Sequence, residues 1–244
     1  IEINPRYGQG LHNYGAARAA AGRDEQALPL LRRALEVGDT RTATVLELER
    51  LLQRRNQPEG AIALYEAQLR DNPNDPVALH GLATLRAQRG EIGTAIDLWR
   101  RAVAVDGSNP EVRHGLGLSL SLTGKHREGV EHLRVAATLR PGRVDTLTWL
   151  AWTLATTPDA SVRNPTDALT FAQRAMEAAG EPSVMTLDAL AAAQAANGRF
   201  DEAMATVRRA VDRATASNQP SAVETLEQRR RLYEARRVYV QPSP

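Results

Sequence analysis

Cysteine is absent from the 244 residues. That excludes disulfides, thiol nucleophiles and cysteine metal sites, and leaves the compartment open. Aromatics make up only 4%, so Ala and Leu must do most of the packing, a composition that favours helices over sheets. No apolar run approaches the roughly 18 residues that would suggest a membrane-spanning helix. Neither charge dominates: 31 Lys+Arg face 29 Asp+Glu, for a net charge of +2. That describes a mixed surface, not a nucleic-acid face. The short chemical motifs are missing as well. There is no GxxxxGK[ST], no GxSxG and no HExxH, and "GLGLSL" at 115–120 lacks the third Gly of a dinucleotide fingerprint and falls within a helical pattern. Asn164-Pro165-Thr166 is blocked as a glycosylation site by its Pro. No enzyme activity, cofactor, metal site or nucleic-acid partner is therefore expected.

What is present is a period. Gly22, Asn56, Gly90 and Gly124 stand 34 residues apart. Five residues after each comes a small residue (Ala27, Ala61, Ala95, Gly129), and four further a large one (Leu31, Tyr65, Trp99, Leu133). Upstream of each marker lies a second helical pattern, such as Leu79, Leu82 and Leu85 in "VALHGLATLRAQRG". "DNPNDP", "DGSNP" and "RPGRV" stop one unit and turn into the next. Each unit is a helix pair too small to bury its own apolar face, so it must stack on its neighbours. Small residues let helices approach, and large ones fill the space between pairs. Sizes persist while identities drift.

These residues resemble the tetratricopeptide repeat. The matching positions include Leu79, Leu82, Ala83, Gly90, Ala95, Trp99 and Ala102, then Leu116, Gly117, Leu120, Gly124, Gly129, Leu133, Ala136 and Pro141. The resemblance implies an all-α right-handed superhelix of about six helix pairs. Its units are 8–41, 42–75, 76–109, 110–143, 144–183 with five extra residues, and 184–217. Residues 1–7 read as the end of a truncated upstream repeat, which would leave Leu11 and Tyr14 under-covered, and 218–244 as a capping helix and tail. Unit 42–75 departs at Glu49 and Gln68, where small residues are expected, so its helices should pack more loosely. In the capping helix Pro220 suits the first turn, Ser221 or Asn218 would cap it, Val223, Leu226 and Tyr233 would face inward, and Arg229 mostly away. "LAWTLATTPDASVRN", "LDALAAAQAANGRFDEA" and "RRRLYEARRVY" resemble the closing repeats of many bacterial members. There they often form the C-terminal part of a secreted or membrane-attached protein, so an extracytoplasmic location is favoured over a cytoplasmic one. Lys125 is the one lysine, and the Lys/Asn set that clamps C-terminal carboxylates in chaperone-binding members is missing.

In such an architecture the first helices line a concave groove that binds a protein or peptide. His12, His80 and His114 recur at the fifth place of three first helices. A row of imidazoles there would contact acidic peptides or respond to pH. A shared metal is disfavoured, because packed helices stand about 8–10 Å apart and zinc–nitrogen bonds are about 2 Å. Trp149 and Trp152, three residues apart, share one face and are the expected anchors, unless the five extra residues fold over them. Asn13, Glu47, Arg50, Arg54, Thr84, Asp145 and Asp188 complete the expected groove, which grades from basic or neutral to acidic along the chain. The expected function is a non-catalytic scaffold that holds a protein segment in this groove. The rival is a structural subunit, or an appended C-terminal domain of a membrane-attached or secreted assembly or enzyme such as a glycosyltransferase, touching its neighbours through convex or terminal faces.

Overall fold

The computed structural model describes residues 7–39 and 42–242. The end of an upstream repeat expected at residues 1–7 falls, except for Tyr7, outside them. Every regular element among the described residues is an α-helix. They divide into two compact units, Ile1–Val105 and Asp106–Pro244. The first holds the pairs α1 (Gly8–Ala20) with α2 (Asp24–Glu36), α3 (Thr42–Arg54) with α4 (Pro58–Asp71), and α5 (Pro76–Gln88) with α6 (Ile92–Val105). The second holds α7 (Pro110–Leu122) with α8 (His126–Leu139), α9 (Val144–Thr156) with α10 (Pro165–Ala178), and α11 (Val184–Ala196) with α12 (Phe200–Ala216). A last helix, α13 (Pro220–Glu234), packs on α12.

The period markers are turns. Gly22, Gly90, Gly124 and Gly198 adopt left-handed φ of 70–79°, and Asn56 takes φ 53°. The following amide then bonds a carbonyl five residues back, as in Arg23 N–Arg18 O, Gln57 N–Leu52 O and Lys125 N–Leu120 O, each at 2.9 Å. This caps carbonyls that lack an intrahelical partner, and glycine takes the left-handed conformation without strain. At the other ends, Pro58, Pro76, Pro110, Pro165 and Pro220 open helices where no amide is needed. Asp75, Asn109, Asn164 and Ser183 accept amides of the first turn. α13 lacks such a cap: its N-cap is Gln219, with no side-chain bond. Asn218 instead ends α12 at φ 52°, so neither Asn218 nor Ser221 has the capping role expected of it.

The small residues are where helices meet. Ala27, Ala61, Ala95, Ala168 and Ala203 are fully buried. At Gly117 the approach reaches backbone: a Cβ there would lie 2.8 Å from Gly129 O and 2.9 Å from Leu133 N. Glu49 stands at the equivalent place in α3, and α3 and α4 make the fewest contacts of the six pairs. Burial pushes the Tyr65 hydroxyl well above its ordinary range, and the Glu49 carboxylate beside it adds to the shift. The Tyr65 ring occupies the space a side chain at Gly81 would need, 2.2 Å from its Cβ. Trp99 is buried in α6. Leu11 is buried, against the expectation that it would be under-covered, and Tyr14 is exposed.

The five extra residues lie wholly between α9 and α10. Asp159 orders them by accepting from the Ser161 amide at 2.9 Å, and Val162 joins the cluster of Val130, Leu154 and Leu169. Arg127 of α8 reaches Ser161 Oγ at 2.6 Å. The insertion therefore rests against α8, and the Trp149–Trp152 face receives a different cover.

Candidate interaction surface on the first helices

In the first unit the expected groove residues are tied into local contacts. His12 Nδ1 lies 2.9 Å from Thr44 Oγ1, which donates to Asp39 Oδ2 at 2.9 Å. A hydroxyl has one proton, so His12 must be the donor to Thr44. Asp39 and Thr44 are buried. His80 Nδ1 accepts from the Trp99 indole at 3.2 Å, and Thr84 Oγ1 donates to the His80 carbonyl. Glu47 pairs with Arg50 at 2.7 Å, and Arg54 grips Asp24 of α2 through two nitrogens. Asn13 is exposed.

In the second unit His114 is buried, its Nδ1 3.0 Å from Thr146 Oγ1 on α9. Burial, reinforced by the Arg143 guanidinium, pushes it down to about 4. It is therefore neutral at physiological pH and cannot switch there, which corrects the expectation of a pH-responsive imidazole. The three histidines do not form an open row. Two bridge to the next first helix and one holds a tryptophan. No three His, Asp or Glu among the described residues could hold a metal ion.

α9 and α11 bury several polar side chains, among them Thr146, Thr148, Thr153, Thr156, Thr186 and Asp188. Thr148 and Thr186 hydroxyls meet at 3.3 Å. Asp188 ion-pairs with Arg229 of α13, and their side chains are only 6% and 13% exposed. Burial pushes the Asp188 carboxyl up and Arg229 pulls it back. The Arg229 guanidinium also lies 4.6 Å from the Trp152 ring centre and 4.7 Å from that of Tyr239. Tyr239 packs on Trp152 with ring centres 5.7 Å apart. Gln241 completes the cover: its amide donates to Thr156 O at 2.7 Å, and its Nε2 to Thr156 Oγ1 at 2.8 Å. Trp152 and Asp188 are thus covered from within the chain, which corrects their expected exposure. Trp149 stays half-exposed and Asp145 exposed beside them.

Two sequence profiles of the tetratricopeptide repeat match the chain, one at residues 76–101 and 184–209, the other at 44–77. The chain carries tetratricopeptide repeats at these residues. No curated protein sequence matches it. Among solved structures it is similar to one described as a functional characterization of Pseudomonas aeruginosa PilF, with TM-score 0.70 and 15% identity, covering 91% of this chain and 97% of that one. It is similar to YrrB, described as a tetratricopeptide-repeat protein with an unusual peptide-binding site, with TM-score 0.58 and 18% identity over 75% and 92% of the two chains. It is also similar to MamA, with TM-score 0.57 and 18% identity over 70% and 91%. Proteins of this repeat generally serve as interaction scaffolds. No described helix is long and apolar enough to cross a membrane.

The tetratricopeptide register locates Trp149 and Trp152 but not what covers them. Arg229, Tyr239 and Gln241 escaped the sequence reading. A charged residue on a half-polar helix reads as solvated, and Gln241 bonds a residue 85 positions away. The available signal was "VYVQ", a β-branched and aromatic run that is out of place at the end of a helical protein.

Proposed function

We propose that the protein is a non-catalytic interaction module, and that a segment of another protein binds the first-helix face of its second unit, beside Trp149. The observation that carries this is the extended stretch of chain already lying on that face, with Tyr239 against Trp152 and Gln241 on Thr156. The same face carries the half-exposed Trp149. Trp149 offers a large rigid area at low entropic cost. The description of YrrB as peptide-binding supports the reading by analogy of fold.

The test is calorimetry on a partner recovered with the immobilised full chain. Trp149→Ala should weaken binding by at least about 2 kcal/mol, as hot-spot residues do, while the α6 change Arg100→Ala should have little effect. The opposite pattern would transfer the function to convex or terminal faces, as in a structural subunit or an appended domain of a larger assembly.

A further inference from the structure

We infer that residues 238–242 are a built-in occupant of a peptide seat on α9, and that the partner it fits is an extended segment of the same chemistry. That chemistry is an aromatic ring followed, two residues on, by a residue that donates from both its backbone and its side-chain amide. The inference rests on the interaction reading above and specifies its ligand.

The seat lies where the period is interrupted. α1, α3, α5, α7 and α11 end in a left-handed residue whose following amide closes back on the helix. α9 ends in Thr157, at φ −56° and ψ 138°. The five extra residues have replaced the closing turn: Asn164, just beyond them, donates its amide to the Leu154 carbonyl at 3.0 Å, and the Thr156 carbonyl accepts from Gln241. The Thr156 hydroxyl donates to the Trp152 carbonyl at 2.7 Å, so its oxygen is oriented to receive the Gln241 side chain.

The occupant has the form of a bound peptide. Tyr239 and Gln241 are half-buried, while Val238, Val240 and Pro242 are exposed. That alternation belongs to an extended chain read on one side. The ring position is prepared by the protein: Asp188 holds Arg229, and Arg229 lies beside both Trp152 and Tyr239. An aromatic guest gains a ring contact and a cation over its face. Arg236, at φ 53°, turns the chain out of α13, so only Arg237 and Val238 separate the end of the turn from Tyr239. So short a tether gives the tail an effective concentration in the millimolar range. An incoming segment must displace it, and its apparent affinity falls by the fraction of open seats.

The probe is a fluorescent peptide with the sequence of residues 235–244, titrated by anisotropy into full-length protein. The Tyr239→Ala protein should bind it at least tenfold more tightly than the wild type. Replacing the peptide's own tyrosine or glutamine with alanine should abolish binding. If Tyr239→Ala keeps its helical circular dichroism and does not bind, the tail is a fixed part of the fold and the inference fails. Equal binding by both proteins would place the peptide elsewhere, with the same consequence. A wild-type dimer in light scattering that Tyr239→Ala abolishes would assign the seat to tail exchange between copies and overturn the assignment to another protein. Capture that still depends on Trp149 after the peptide has failed would leave the interaction reading standing without this one.

Discussion

The two units are built on one repeat frame and spend it differently. The first buries two polar side chains among its described residues, Asp39 and Thr44; the second buries several on α9 and α11 alone. Both units lace their repeats with half-exposed ion pairs, such as Arg54–Asp24 and Arg89–Glu59 in the first and Arg134–Asp167 and Arg213–Glu181 in the second. The second adds a neutral histidine, a threonine pair and a covered Asp188–Arg229 bridge that hold first helices together. Packing alone does not require the second solution, because a buried polar group costs stability unless its bonds are made. Alanine and leucine would serve, as they do at Ala83 and Leu79. Among the described residues, only the second unit combines buried polar side chains on its first helices with an extended segment laid over them.

The largest test of the contrast is Trp99→Ala. With Tyr65, this indole is a buried aromatic of the first unit, and it is the donor to His80. Its loss should cost about 3–5 kcal/mol in a urea melt; a change below about 1 kcal/mol would mean that Trp99 does not hold the first unit together. Next comes acid. His114 takes up a proton near its ordinary 6.5 when unfolded, and only near 4 when folded. The unfolded state therefore binds more protons between those values. Stability from this group is full above pH 6.5 and is lost as pH falls toward 4, on the order of 3 kcal/mol. Melts of wild type and His114→Gln at pH 7 and 4.5 should differ, with the variant losing less. An equal acid loss in both would assign the effect to other groups. The smallest effect belongs to the first unit's lacing: Arg54→Ala should cost only about 0.2–1 kcal/mol, since its pair with Asp24 is half in water. A cost above 2 kcal/mol would show that surface pairs carry the first unit after all.

The helices were legible because their signals are local. A left-handed glycine at Gly22, Gly90 and Gly124, a proline at the next helix start, and small residues at fixed offsets each constrain a few neighbouring residues. The same logic anticipated the loose α3–α4 pair from Glu49. Half of the candidate surface was legible too, since the repeat register brings Trp149 and Trp152 to one face. Its cover was not. Tyr239 reaches Trp152 across the whole of α10 to α13, and no periodicity in "RRVYVQPSP" encodes that return. The histidines misled for a related reason. Their common register position was plain in the sequence, but not the threonines at 44 and 146 that absorb two of them, nor the indole that absorbs the third.

The thin contact between α3 and α4 bears on how the protein breathes. A solenoid's cooperativity is carried by its nearest-neighbour interfaces, and one weak link divides it into segments that open independently. The amides of α3 and α4 should exchange with solvent deuterium sooner than those of α7 and α8, whose backbones touch at Gly117 and Gly129. The repeat with a glutamate in place of a small residue is then where thermal fluctuation, proteases and unfolding first enter the first unit.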